Sequence, residues 1–174
     1  MTALILPFRG VTPRVADDAF IAPGAVVIGD VEVGPEANIW FHSILRGDVN
    51  SIRVGARTSI QDSSVVHVSR VRYGTEIGAD VVIGHRAMIH ACVLEDGCFV
   101  GMGATVMDGA VVEGGAMIAA GALVTPGKKV KRDELWTGTP AAFKRELTKE
   151  ERAYMAESAA RYVALGREYR RNLA

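Results

Sequence analysis

The chain has 174 residues, 49% hydrophobic and 23% charged, a balance that supports one domain with a packed core and excludes a disordered chain. Twenty Lys and Arg offset twenty Asp and Glu, so no overall positive field marks a nucleic-acid binder. Nineteen glycines beside only 6% aromatic residues point to many tight bends around a narrow interior.

The opening segment, MTALILPFRG, lacks the basic start and the apolar run of a secretion signal. No stretch reaches the roughly 18 apolar residues that a membrane span needs. A cytoplasmic protein without membrane contact is therefore expected. The two cysteines, Cys92 and Cys98, do not make a disulfide framework.

From Ile21 onward the chain repeats. Aliphatic residues recur every six positions at Ile21, Val27, Val33, Ile39 and Leu45. The series restarts at Val54, Ile60 and Val66, and again at Ile77, Ile83 and Ile89. After a step of five it runs through Leu94, Val100, Val106, Val112, Ile118, Val124 and Val130. Two positions before an aliphatic there is usually a small or β-branched residue, such as Ala25, Ser43, Thr58, Ser64, Thr75, Cys92, Cys98 and Ala104. A period of six fits strands and not helices, and a spacing of two puts both residues on one inward face. Glycines following an aliphatic, such as Gly55, Gly78 and Gly101, are read as bend positions. Three hexads make one triangular coil, and coils stack about 4.8 Å apart. The eighteen aliphatics then give about six coils. The general crossover rule would make such a solenoid right-handed.

Two breaks interrupt the register. The long step from Leu45 to Val54 predicts a bulge around Asp48–Ser51. The longer step from Val66 to Ile77 predicts an outward loop over Ser69–Gly74. After Val130 the pattern dissolves, and Leu135–Arg145, with Gly138 and Pro140, reads as a turn out of the solenoid. Thr148 and Glu151 form a capping box, which predicts a helix from about Lys149 to Arg171. Met155, Ala159, Tyr162, Val163 and Tyr169 make its apolar stripe, which should pack on the outer wall of the coils. Charge divides at the same place. Residues 1–127 hold 8 basic and 13 acidic residues, and residues 128–174 hold 12 and 7, so the tail presents a basic, solvated face.

Three of the four histidines fall close together. His67 follows the inward Val66 directly and His90 follows the inward Ile89, so both point outward. Both aliphatics are the third of their group, which stacks the two histidines on adjacent coils. Rooted about 5 Å apart, they can converge on one metal ion. His85 lies one face earlier, at a corner, and reaches the same ion only if a neighbouring subunit supplies it. A cyclic trimer is the simplest closed assembly that does so. The competing reading is a set of surface histidines, which His42 is expected to be in any case.

The segments FIAPGAVVIG (20–29), IWFHSILRGD (39–48), SIQDSSVVH (59–67), IGHRAMIH (83–90), VGMGA (100–104), AGALVTPG (120–127) and GTPA (138–141) together resemble the gamma-class carbonic anhydrase family of hexapeptide-repeat proteins. The likeness runs over about residues 7–145. It implies a left-handed parallel β-helix over 1–145, with the C-terminal α-helix over 146–174 packed on it, and this overrides the crossover rule. It also implies a homotrimer with zinc held at subunit interfaces by His67, His85 and His90. Arg46 and Asp48 match an Arg-x-Asp pair that ties subunits together near the site. Gln61 would hydrogen-bond the metal-bound water, and Asp62 would join the Arg46 network. Tyr162 resembles an aromatic that some relatives place near the site, although simple packing accounts for it.

The implied activity is reversible hydration of CO2 to bicarbonate by metal-bound hydroxide. Iron or cobalt would fit the same nitrogens as zinc. Val49 and the carboxylate-free loop 69–74 stand where the best-studied branch has glutamates, so no proton shuttle is evident and weak activity is expected. Two other readings stay open: an acyltransferase or thioesterase acting on coenzyme A esters, and a metal-binding trimer scaffold without catalysis.

Overall fold

Most strands are two or three residues long and are separated by tight turns, as an interior too narrow for longer straight runs requires. The computed structural model describes residues 2–173; Met1 and Ala174, the outer bounds of the two expected segments, lie outside the described residues. Every ladder between Leu4 and Thr137 is parallel, with each coil pairing to the one above and below it. The result is a left-handed β-solenoid. One flat face stacks seven parallel strands, starting at Phe20, Asn38, Ser59, Val82, Phe99, Met117 and Glu134. That is one coil more than the aliphatic count predicts, because Glu134–Thr137 continues the stack after the hexad pattern has faded.

The aliphatics from Val27 to Val130 are all buried in one core, and Ile21 packs half-buried at its lower end. The small residues two positions earlier are buried with them. At Ser43, Thr58 and Ser64 the hydroxyl donates to a carbonyl of the next coil. Ser43 Oγ reaches Gln61 O at 2.8 Å, Thr58 Oγ1 reaches Gly78 O at 2.6 Å, and Ser64 Oγ reaches Gly84 O at 3.1 Å. Among the described residues the interior therefore holds polar side-chain atoms without leaving them unsatisfied. Cys92 and Cys98 are free, buried thiols at these same positions, and desolvation pushes the Cys92 thiol up to about 12.

The glycines after an aliphatic serve another purpose than bending. A Cβ at Gly55 would stand 2.5 Å from the Gly78 carbonyl oxygen, and one at Gly78 would stand 2.6 Å from the Asp96 amide nitrogen. These positions are empty so that coils can close on one another. The bends themselves are made elsewhere, with left-handed backbone at Arg57, Ser63, Asp80 and Arg86 in the lower coils and at Gly97, Gly103, Gly115 and Gly121 in the upper ones.

Both breaks in the repeat are where the spacing puts them. Strand Ile44–Val54 runs around a corner and joins two faces, and Asp48–Ser51 bulges opposite Asp30 of strand Val26–Val33. Residues 69–74 leave the coil and return, with Val71 at the tip 84% exposed. The segment after Val130 differs from its reading as a turn. Glu134–Thr137 and Ala142–Glu146 pair antiparallel and close the upper end of the flat seven-strand face.

Helix α1 (Lys149–Asn172) begins at the capping box, with Glu151 N donating to Thr148 Oγ1 and Thr148 N donating to Glu151 Oε2. Met155, Ser158, Ala159, Val163 and Gly166 are its buried positions. It lies on the flat seven-strand face, where Tyr162 and Tyr169 join Phe20, Trp40 and Phe41 in an aromatic cluster. Trp40 sits edge-on to Tyr162 and Tyr169 at centroid distances of 5.7 and 5.3 Å.

Candidate metal centre

Strands Val65–His67 and Met88–His90 lie side by side in register, with Val66 opposite Ile89 and His67 opposite His90. Because the aliphatic of each pair is buried, alternation turns both imidazoles outward on the same face. Their ring centroids are 5.2 Å apart, and His67 Nδ1 stands 3.1 Å from His90 Nε2. The backbone beneath them is pinned. Thr75 Oγ1 donates to the His67 carbonyl at 2.5 Å and accepts the Ala91 N–H at 3.0 Å.

The outer nitrogen of each ring meets a carboxylate. His67 Nε2 is 3.0 Å from Asp48 Oδ1, and His90 Nδ1 is 2.6 Å from Asp108 Oδ1. A carboxylate only accepts, so each ring places its N–H there. In neutral rings the two facing nitrogens are then both lone pairs, aimed at each other with no hydrogen to share. Such a contact is relieved by a proton or by a cation between the two nitrogens. Two ligand nitrogens 2.0–2.1 Å from one zinc at a tetrahedral angle are separated by about 3.3 Å, close to the spacing found. The donor set fits zinc: neutral imidazoles, tautomers fixed by carboxylates, partial exposure to solvent.

Asp48 stands in the bulge of the long strand and is mostly covered. Burial raises its carboxyl, but hydrogen bonds from His67 and Arg46 outweigh this and hold it below the usual carboxylate range. Arg46, one coil below His67, pairs with Asp48 within the chain.

His85 lies at a different corner, in the turn between Val82–Ile83 and Met88–His90. Its Nδ1 is 2.8 Å from Asp62 Oδ2, on the coil below. Within one chain Asp62 therefore pairs with His85 rather than with Arg46. Gln61 is buried beside them, and the Tyr162 phenol of α1 lies close to it. Desolvation, with the Asp62 charge, pushes that phenol up. Tyr162 packs edge-on against Trp40 in the aromatic cluster. Among the described residues, no three His, Cys, Asp or Glu side chains of a single chain form a metal cage. His67 and His90 come together, and His85 faces away from them with Asp62. His42 is exposed in a turn, as expected.

Known proteins show which family the chain belongs to. No family model matches the chain. The "Probable carbonic anhydrase" of Methanocaldococcus jannaschii is 52% identical over 145 residues, which cover 83% of this chain and 91% of that protein. The chain belongs to the gamma-carbonic-anhydrase-like family of hexapeptide-repeat β-helix proteins. "Gamma carbonic anhydrase 2, mitochondrial" of Arabidopsis thaliana is 48% identical over 159 residues, 88% of this chain but 57% of that protein, so the chain spans little more than half of that relative's length. Among solved structures, a hexapeptide transferase family protein from Anaplasma phagocytophilum superposes with a TM-score of 0.92 at 51% identity, covering 95% of this chain and 98% of its own.

Two contacts of this family member were not legible in its sequence. Asp108 lies in Met107-Asp108-Gly109, which reads as an ordinary Asp-Gly turn, and only the coil stacking brings it over His90. The Asp62–His85 pair is hidden in the same way by a separation of 23 residues.

Proposed function

We propose that the chain is a zinc-dependent, carbonic-anhydrase-like enzyme that interconverts CO2 and bicarbonate at a site shared between subunits of a homotrimer. The observation that carries the reading is the His67–His90 pair, whose facing lone pairs stand at nearly the separation of two ligands on one ion. His85 is the third ligand, supplied by the neighbouring subunit. Its Nδ1 is engaged by Asp62, which leaves Nε2 for the ion, and its side chain is 43% exposed.

An outward column supports the assembly. Leu4, Val26, Ile44, Val65 and Met88 stack coil over coil beside Arg46, His67 and His90. Leu4, Ile44 and Met88 are exposed in the single chain. An aliphatic column flanking the ligands suits a subunit interface. No helix among the described residues is long and apolar enough to cross a membrane.

Bound zinc supplies a Lewis acid that makes a water ligand far more acidic than bulk water. The chain's own residues do the rest. Asp48 and Asp62 hold the tautomers of His67 and His85. Arg46 fixes Asp48. Gln61 presents an amide at the wall of the shared site, where it orients water or bicarbonate oxygen. The half-buried Val49 and the carboxylate-free loop 69–74 offer no group to carry protons outward, so turnover is slow and buffer-dependent.

The test is stopped-flow CO2 hydration by zinc-loaded protein against His90→Ala. Loss of at least about 100-fold in the variant is expected for removal of a ligand. Equal rates would overturn the enzymatic reading.

A further inference from the structure

The structure points beyond the three histidines and the residues expected to serve them. We infer that Asp108 is a positioning residue for His90: it accepts the Nδ1 proton, fixes the tautomer and aims Nε2 at the place where His67 Nδ1 also points. The inference rests on the reading of His67, His85 and His90 as zinc ligands.

Its geometry is independent of the family pattern. The His90 Nδ1–Asp108 Oδ1 distance, 2.6 Å, is the shortest of the contacts these histidines make with carboxylates. Asp108 reaches His90 from the coil above, since Ile89 is in register with Val106 and Asp108 stands two residues further on. The turn that carries it is held from two sides. Gly109 N donates to the Ala91 carbonyl at 2.8 Å, directly after His90. From the other side Tyr73, at the base of the outward loop, lays its ring over the turn; a Cβ at Gly109 would stand 3.2 Å from Tyr73 Cε2. Gly109 also has left-handed backbone, at φ 68°, which an L side chain would strain. Glycine is thus needed at 109 both for the bend and for the room Tyr73 occupies.

An isolated Asp-Gly turn on a solenoid would leave its carboxylate in solvent. Here the loop 69–74 folds back over the turn, and the carboxylate is turned to the ring that presents a lone pair to the cation site. His67 has the same arrangement from below through Asp48. The two rings are therefore braced from opposite coils, and neither can rotate its free nitrogen away without losing a charge-assisted bond.

The test uses zinc alone as probe on the full chain, with a chromophoric chelator as competitor. Asp108→Ala is expected to weaken zinc binding about 10–100-fold. Asp108→Asn still offers an oxygen to Nδ1 and should fall between the alanine variant and the parent. Substituting cobalt(II), the visible absorption of Asp108→Ala should differ in intensity from that of the parent, a change that a purely structural turn residue would not produce. Melting of the metal-free proteins reports folding separately, and if the alanine variant does not fold, the asparagine variant carries the comparison. Zinc affinity and cobalt spectra identical to the parent in the folded variants would overturn the inference while His90→Ala still loses the metal. A parent protein that takes up no zinc, or a His90→Ala variant that binds it as tightly, would instead remove the metal reading and the role of Asp108 with it.

Discussion

One added methyl group measures how closely the coils stack. Gly55 has ordinary backbone, so alanine there meets no conformational penalty, yet its Cβ would stand 2.5 Å from the Gly78 carbonyl oxygen. Gly55→Ala should therefore cost about 1–3 kcal/mol, seen as a lower urea midpoint. Gly121→Asn is the contrast, since φ is 68° and nothing lies within 4 Å of a Cβ there. Asparagine tolerates left-handed backbone, so this change should cost clearly less than Gly55→Ala, and the reverse order would contradict the stacking argument. The sequence marks both as glycines and cannot separate one kept for space from one kept for its bend. The same limit applies at the site. His67 and His90 are legible because each follows an inward aliphatic at an equivalent place in the repeat. Asp108 is not, because its partner lies on another coil and its local pattern is that of any turn.

At the scale of elements, α1 depends on a few polar contacts at its start. Hydrogen bonds from Arg145 and from the Thr148 amide hold the Glu151 carboxyl at about 2, well below its ordinary 4.5. A depressed carboxyl stabilises the folded form fully above its unfolded value, and the contribution is lost as pH falls. Helix attachment should accordingly weaken between about pH 4.5 and pH 2, the window set by those two values. Near-ultraviolet circular dichroism of the Trp40–Tyr162–Tyr169 cluster follows it, and Glu151→Gln should flatten the transition in that window. The capping box and the apolar stripe place this helix almost to the residue, because its signals are local. The hairpin after Val130 is missed because Gly138 and Pro140 interrupt any periodicity and all of Ala142–Glu146 is exposed. An element that buries nothing in its own chain leaves no hydrophobic pattern to read.

For the whole molecule, shape and site are linked through the aliphatic column. Ile44 is exposed in the single chain and stands on the coil below Val65, beside Arg46. Ile44→Glu should fold, since the side chain already faces outward, but should shift the mass in light scattering from trimer toward monomer. Zinc stoichiometry should fall with it, because His85 then no longer meets His67 and His90. A variant that stays trimeric would place the interface on another face. The closing hairpin also bears on how the molecule ends. A parallel solenoid is an open ladder whose last rung could accept the first rung of another copy. Here the final strand, Ala142–Glu146, runs the opposite way and carries Lys144, Arg145 and Glu146. On that face a reversed, charged rung stands where a further copy would have to add a parallel one, so the ladder that could have seeded a filament there offers no matching edge.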